Sequence, residues 1–291
     1  MKIIVTGALG MLGADLIKRL RDENEVIGVT RQEFDVLKPM EVRDCLARVR
    51  PDWVVHCAAF TNVDGCEKDP DKAFRVNADG AANVAKACWG VGARMLYVST
   101  DYVYDGSAGR PYTEADQTGP LNVYGSSKLK GEQEALKVLP EALVVRTSWL
   151  FGLNGPNFVE AILGQVGKKD ELKVVADQVG SPTYTVDLAD AMARLIGVGA
   201  AGIVNASNAG VCSWFEYAVK ILELAGANGI SVLPITTAEL GRPAPRPAYS
   251  VLSKEKYTGL TGHSMRGWED ALRDYLRMRG VPDTTPDTKI V

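Results

Sequence analysis

Tyr124 and Lys128 open a segment of helical period in the run Tyr124-Gly125-Ser126-Ser127-Lys128. Residues four apart share a helix face, so this spacing sets a phenol beside an ammonium. A cation at that range favours the ionised phenol and lowers a pKa of about 10, which makes Tyr124 an acid usable near neutrality. Upstream, an apolar run ends in Ser99-Thr100-Asp101-Tyr102. Open α/β sheets hold their ligands at the carboxyl ends of parallel strands, so the Thr100 hydroxyl is positioned to orient a substrate oxygen. Thr100, Tyr124 and Lys128 together read as a constellation that delivers a proton to an oxygen. Ser99 is assigned to the cofactor side of that site, and Asp101 and Tyr102 to the substrate side.

A second group of residues concerns phosphate. Gly7-Ala8-Leu9-Gly10-Met11-Leu12-Gly13 follows an apolar strand directly and leads into a helix. Glycine at the turn permits unusual dihedrals, glycine in the middle lets backbone approach a pyrophosphate, and glycine inside the helix lets it pack on the sheet. The helix N-terminus then offers unpaired N–H groups to the anion. Gly7, Leu9, Gly10, Met11, Leu12 and Gly13 are therefore expected to cradle a dinucleotide. A glycine triplet alone also makes an ordinary tight turn; the order of glycine loop, strand-end Ser-Thr and YxxxK carries the argument. The second strand ends Val29-Thr30-Arg31, with no carboxylate for a ribose hydroxyl. Arg31 suits a 2′-phosphate, which selects NADPH, with NADH as the other carrier. Asp35 and Val36 are placed at the adenine edge, Asp35 having a second use as a cap for the helix starting near Pro39.

The elements that hold these groups follow from short, continuously apolar runs alternating with helical periods. Strands are expected at 2–6, 25–29, 53–57, 94–99 and 143–146, each apolar throughout, as burial on both faces of a parallel sheet requires. Helices are expected at 11–21, 39–49, 70–91 and 122–138. Beyond Trp149 the rhythm loosens to a helix near 157–166, a strand near 172–176, helices near 187–196 and 213–225, a proline-rich loop at 242–247 and an amphipathic helix around 265–279. The pattern is α/β: a Rossmann-type, doubly wound parallel sheet with a smaller, less regular C-terminal substrate domain. The expected division is residues 1–149 for the dinucleotide, 150–280 mainly for the substrate with segments near 172–206 returning to the sheet, and a loose tail over 281–291.

Composition agrees with an ordinary globular enzyme. The 291 residues are 46% hydrophobic and 24% charged, with 29 glycines. A net charge of −3 supplies no bulk positive field for nucleic acid. The five cysteines form no CxxC pair, which argues against a disulfide framework or a zinc site and for a reducing, cytoplasmic setting. No signal segment and no run of membrane-spanning length is visible.

On these motifs the chain resembles the extended short-chain dehydrogenase/reductases, and within them the dTDP-4-dehydrorhamnose reductases. The resemblance covers nearly the whole chain and rests on Gly7–Gly13, Ala58-Ala59-Phe60-Thr61-Asn62-Val63-Asp64, Ser99 to Gly106, Tyr124 to Lys128, Arg146-Thr147-Ser148-Trp149, Asp177 to Thr183, and Arg246-Pro247 with Ser250 and Leu252. It implies Thr100, Tyr124 and Lys128 as catalytic triad, with Lys128 also on the nicotinamide ribose. Ala58, Ala59 and Thr61 would line the pyrophosphate and ribose, Trp149 would contact the substrate, and Arg246 would meet the sugar-nucleotide phosphates. The implied reaction is reduction of a nucleotide-linked 4-keto-6-deoxysugar. Phe60, Tyr104 and Phe151 depart from the residues common at those positions in the family. A nucleotide-sugar epimerase or other reductase of the superfamily, and a regulatory subunit like the β subunit of methionine adenosyltransferase, share parts of the pattern. A 4,6-dehydratase is disfavoured because Tyr102, rather than a carboxylate, follows Asp101. No residue is assigned to a metal: magnesium, known for parts of the family, has no ligand cluster in this sequence. A homodimer is compatible with the resemblance.

Overall fold

The structure is a computed structural model and describes residues 1–281. Apart from Val281, the tail expected over 281–291 lies outside the described residues. The first half runs β1 (Lys2–Thr6), α1 (Met11–Leu20), β2 (Glu25–Val29), α2 (Pro39–Val49), β3 (Trp53–His56), α3 (Val63–Lys68), α4 (Pro70–Phe74), α5 (Gly80–Val91), β4 (Arg94–Thr100), α6 (Val123–Val138) and β5 (Leu143–Thr147). The second half holds β6 (Leu150–Phe151), α7 (Phe158–Leu163), β7 (Glu171–Val175), β8 (Val179–Gly180), β9 (Thr183–Tyr184), α8 (Thr185–Gly197), β10 (Gly202–Asn205), β11 (Cys212–Ser213), α9 (Trp214–Leu224), β12 (Ser231–Ile235), α10 (Thr237–Leu240), α11 (Glu255–Thr261) and α12 (Trp268–Met278).

Six strands form a parallel sheet in the order β10-β5-β4-β3-β1-β2. Alternate residues of each strand feed opposite faces, as a period of two demands. Ile3, Val5, Val55, Leu96 and Val145 pack under α1 and α8, while Ile4, Val54, Met95, Tyr97 and Val144 pack under α2 and α5. Burial on both faces explains why these strands read as unbroken apolar runs. A third core, holding Phe151, Tyr184, Tyr217, Trp268 and Tyr275, builds the C-terminal region. Its α12 buries Trp268, Ala271, Leu272, Tyr275 and Leu276, the three-and-four spacing of one helix face.

The structure redraws some of the expected elements. The helix expected over 70–91 is three pieces, with a π-helical turn at Arg75–Asp79 between α4 and α5. Its cause is tertiary: Asn77 is pulled inward to hydrogen-bond residues far away in sequence. The helix expected over 157–166 ends at Leu163, capped by Gly164. The strand 172–176 appears as β7 and pairs with β12, apart from the main sheet, whereas α8 packs on α1 and β10 joins the sheet edge. Among the described residues, no helix is long and apolar enough to cross a membrane.

Candidate active site

A cavity of about 710 Å³ opens at the carboxyl ends of β1 to β5. Gly7, Gly10, Met11, Leu12 and Gly13 line its floor. Gly7 has φ +68°, a left-handed conformation that glycine adopts without strain, and the Gly10 amide donates to its carbonyl at 3.0 Å. A Cβ on Gly13 would lie 2.2 Å from the Gly7 oxygen, so only glycine lets α1 start this close to the strand. No side chain caps the N-terminus of α1, whose first N–H groups are left for an anion. Leu9 is on the same loop, but it is 80% exposed and does not line the cavity.

At the β2 end, Arg31, Asp35 and Val36 line the wall. Arg31 is an exposed side chain donating to Asp35 Oδ2 at 2.9 and 3.0 Å. The Leu37 amide, helped by Arg31, holds the Asp35 carboxyl below its ordinary range. Position N-cap of α2 belongs to Lys38, so Asp35 does not cap that helix.

Between the two ends, Ala58, Ala59, Phe60 and Thr61 follow β3 along the cavity. The Ala58 amide donates to Thr6 Oγ1 at 3.2 Å, and the same hydroxyl contacts His56 Nδ1 at 2.8 Å. Burial, with Lys128 nearby, drives His56 down to about 3, so its ring is neutral. Asn77 pins the loop from behind. Its Oδ1 accepts from the Phe60 amide at 2.7 Å, and its Nδ2 donates to the Phe60 carbonyl and to Ser127 Oγ at 3.1 and 2.9 Å. Ser127 Oγ donates in turn to the Tyr124 carbonyl at 2.8 Å. A π-helical turn at a functional site is a known device for turning one side chain inward. Sequence reading missed Asn77, although a polar residue on the buried face of a helix was its signal.

The two motifs of the catalytic reading meet where β4 ends. Ser99, Thr100, Asp101, Tyr102, Tyr124 and Lys128 all line the cavity. Thr100 Oγ1 donates to Asp101 Oδ1 at 3.0 Å and accepts from the Tyr102 amide at 3.2 Å. Burial raises Asp101 to about 7, against the pull of the Ser250 and Thr100 hydroxyls. Lys128 donates to the Val98 carbonyl at 2.6 Å and lies 4.0 Å over the Tyr97 ring. Burial brings its ammonium down to about 7, opposed by Glu132 one turn further along α6.

The expected effect of Lys128 on Tyr124 is corrected here. Burial raises the phenol above its ordinary value, and the group that eases its ionisation is the Thr100 hydroxyl. Sharing a helix face did not suffice, because the Lys128 ammonium is drawn to Val98 and Tyr97. Tyr124 is thus held protonated at neutral pH.

Two hydroxyls on this wall, Ser99 Oγ and Thr147 Oγ1, are buried and have no hydrogen-bond partner among the described residues. Thr147 stands beside Thr100 in the β4–β5 register and was not singled out from the sequence. Such unpaired buried groups are the exception in folded proteins and point to a ligand. With the glycine cradle and Arg31, they fit a bound dinucleotide whose polar end reaches β4 and β5.

Past β5, Trp149 lines the cavity with a second indole, Trp214, which the periodicity of α9 had absorbed into a helix face. Arg246 is not a lining residue: it donates to Asp64 Oδ1 at 3.1 Å and to the Ala244 carbonyl at 2.7 Å. Burial raises the Tyr102 phenol above its ordinary value, and Arg246 works against that rise. Behind the site, Arg146 and Glu132 form a buried pair at 2.6 Å, and Tyr104, one of the family departures, accepts from Arg146 at 2.7 Å. Another departure, Phe60, takes the Lys72 ammonium over its ring at 4.6 Å, and Phe151 packs on Tyr184 at 5.3 Å.

Known proteins resemble this chain along most of its length. The spore coat polysaccharide biosynthesis protein SpsK of Bacillus subtilis is 43% identical over 96% of this chain and 98% of its own. A dTDP-4-dehydrorhamnose reductase of Streptomyces griseus is also 43% identical, over 93% of this chain and 91% of its own. The crystal structure of a Bacillus anthracis dTDP-4-dehydrorhamnose reductase in complex with NADP superposes with a TM-score of 0.92 at 39% identity, covering 95% of this chain and 99% of that one. Residues 1–280 match the family model described as the RmlD substrate binding domain, and the chain belongs to that family.

Proposed function

We propose that the protein catalyses the NADPH-dependent reduction of the C4 keto group of dTDP-4-dehydro-β-L-rhamnose, giving dTDP-L-rhamnose. The observation that carries this reading is one continuous cavity lined by the glycine loop, Arg31, Thr100, Tyr124 and Lys128. The S. griseus and B. anthracis relatives, by their names and the NADP of the latter, support the sugar and the carrier. Residues 1–149 hold the carrier and residues 150–280 mainly the sugar nucleotide.

NADPH, when bound, supplies the hydride that reduces C4. The chain supplies the proton: the Tyr124 O–H bond breaks as the O–H bond at O4 forms. Tyr124 suits this because burial keeps its proton on until the neighbouring oxygen gains charge. Thr100 orients the carbonyl and its hydroxyl eases ionisation of Tyr124, while Lys128, one turn along α6, would hold the nicotinamide ribose. Gly7, Gly10, Met11, Leu12 and Gly13 receive the pyrophosphate, with Ala58, Ala59, Thr61 and Ser99 along the ribose and nicotinamide. Arg31 receives the 2′-phosphate and Asp35 and Val36 border the adenine. Asp101, Tyr102 and Trp149 border the sugar nucleotide, and Arg246, off the cavity and paired with Asp64, would reach it only by leaving that carboxylate.

The test mixes purified protein with NADPH and dTDP-4-dehydrorhamnose and follows the loss of reduced-nicotinamide absorbance, with NADH in parallel. Tyr124→Phe is expected to lower turnover by about 10²- to 10⁴-fold and to leave NADPH binding nearly intact. Near wild-type reduction by that variant would remove Tyr124 from the mechanism.

A further inference from the structure

The Trp149 indole is packed by two neighbours. Trp214 lies parallel to it, with ring centroids 3.6 Å apart and planes 6° from each other. Gly180 closes on the ring as well, so near that a Cβ there would fall 2.5 Å from it. The Trp149 backbone has φ +46°, a left-handed conformation that a bulky residue holds only where its surroundings enforce it. Trp214 is itself anchored as the first residue of α9. The Glu216 carboxylate accepts from the Ser213 amide at 2.7 Å, and Ser213 Oγ accepts from the Glu216 amide at 3.1 Å. Phe158 from α7 braces Trp214 at 4.6 Å.

Position in the fold says which end of the cavity this is. Neighbouring strands lie about 4.8 Å apart, so a carrier spread from Arg31 after β2 to Ser99 at the end of β4 spans the sheet in that direction. Trp149 follows β5, one strand past β4 in the sheet order, and Trp214 lines the cavity with it, which leaves this end for the sugar. We propose that Trp214 is a positioning residue that sets sugar specificity: it clamps Trp149 against Gly180 and so fixes an apolar wall that receives the methyl side of a 6-deoxyhexose. A hydroxyl at C6 would lose its water partners against this wall. The inference rests on the reductase reading above.

The test compares Trp214→Leu, which keeps apolar bulk and cannot stack, with Trp214→Phe, which keeps an aromatic face. The KM for dTDP-4-dehydrorhamnose is expected to rise about tenfold in Trp214→Leu and no more than about threefold in Trp214→Phe. NADPH affinity, read by nucleotide fluorescence without sugar, stays within about twofold in both, because no contact to the carrier is removed. Preference for the 6-deoxy substrate over a dTDP-4-ketohexose bearing a 6-hydroxyl, on the order of 10² for an apolar wall, falls about tenfold in Trp214→Leu. An unchanged KM and preference in Trp214→Leu, or a parallel fall in NADPH affinity, would overturn the proposal. If Trp214→Leu does not fold, a Trp214→Phe enzyme that loses the 6-deoxy preference altogether overturns it and one that keeps it upholds it. A wild-type protein that reduces neither sugar brings down the reductase reading as well, and that is seen before any variant is compared.

Discussion

Lys128→Met should make the cofactor-free protein more stable in mild acid while destroying its activity. The ammonium is buried, and its pKa falls from 10.5 to about 7 because burial disfavours the charge. Between those values the unfolded chain holds a proton that the folded chain releases, so the wild type gains stability as pH rises through that window. At or below pH 7 the full penalty applies, roughly 5 kcal/mol at about 1.4 kcal/mol per unit. Against this, the substitution removes the hydrogen bond to the Val98 carbonyl and the contact over the Tyr97 ring, together about 2 kcal/mol. The variant is therefore ahead by about 3 kcal/mol near pH 6, a Tm increase of roughly 6 °C for a chain of this size. As pH climbs the advantage shrinks and changes sign near pH 9, where the remaining penalty and the lost contacts balance at about 2 kcal/mol each. Thermal melts of both proteins at about pH 6 and about pH 9.5 test the sign as well as the size. A Tm difference that is the same at both, or a variant less stable in acid, would refute the argument that this lysine is desolvated.

Three further outcomes follow from the geometry. Gly13→Ala forces a Cβ against the Gly7 carbonyl and should weaken NADPH binding about 100-fold in a fluorescence titration; unchanged affinity would mean that the loop does not cradle the carrier. Arg31→Ser should raise the KM for NADPH roughly 10- to 100-fold and leave that for NADH alone, since only a 2′-phosphate loses a charge-assisted bond. Glu132→Gln leaves the Arg146 charge buried without its carboxylate, and melts should show a loss of about 3 kcal/mol, roughly 6 °C in Tm.

The parts of this molecule that were legible in its sequence are those whose causes are local. Burial on both faces makes residues 53–55 of β3 and 143–145 of β5 unbroken apolar runs, and a strand, a glycine turn and a helix in immediate succession dictate the β1–α1 loop. Tyr124 and Lys128, four apart on α6, both line the cavity. The direction of the Lys128 side chain was not legible, because its attractors, Val98 and Tyr97, belong to a strand 30 residues earlier. The π-helical turn was hidden for the same reason: Asn77 is drawn inward by Phe60 and Ser127, which no helical period records. Arg246 reads as a free cation in a proline loop until folding brings Asp64 to it from 182 positions away. Trp214 satisfied the apolar pattern of α9, so nothing in that pattern marked it as facing the cavity.

Asn77 has a consequence beyond holding a loop. Through one amide side chain, the segment that follows β3 is spliced to the helix that carries Tyr124, and neither can shift alone without leaving buried donors unpaired at about 1–3 kcal/mol each. The two ends of the cavity consequently share a single frame. A carrier that favours one setting of that frame would raise or lower the affinity for the sugar by the same factor as the sugar changes the affinity for the carrier, without the two touching.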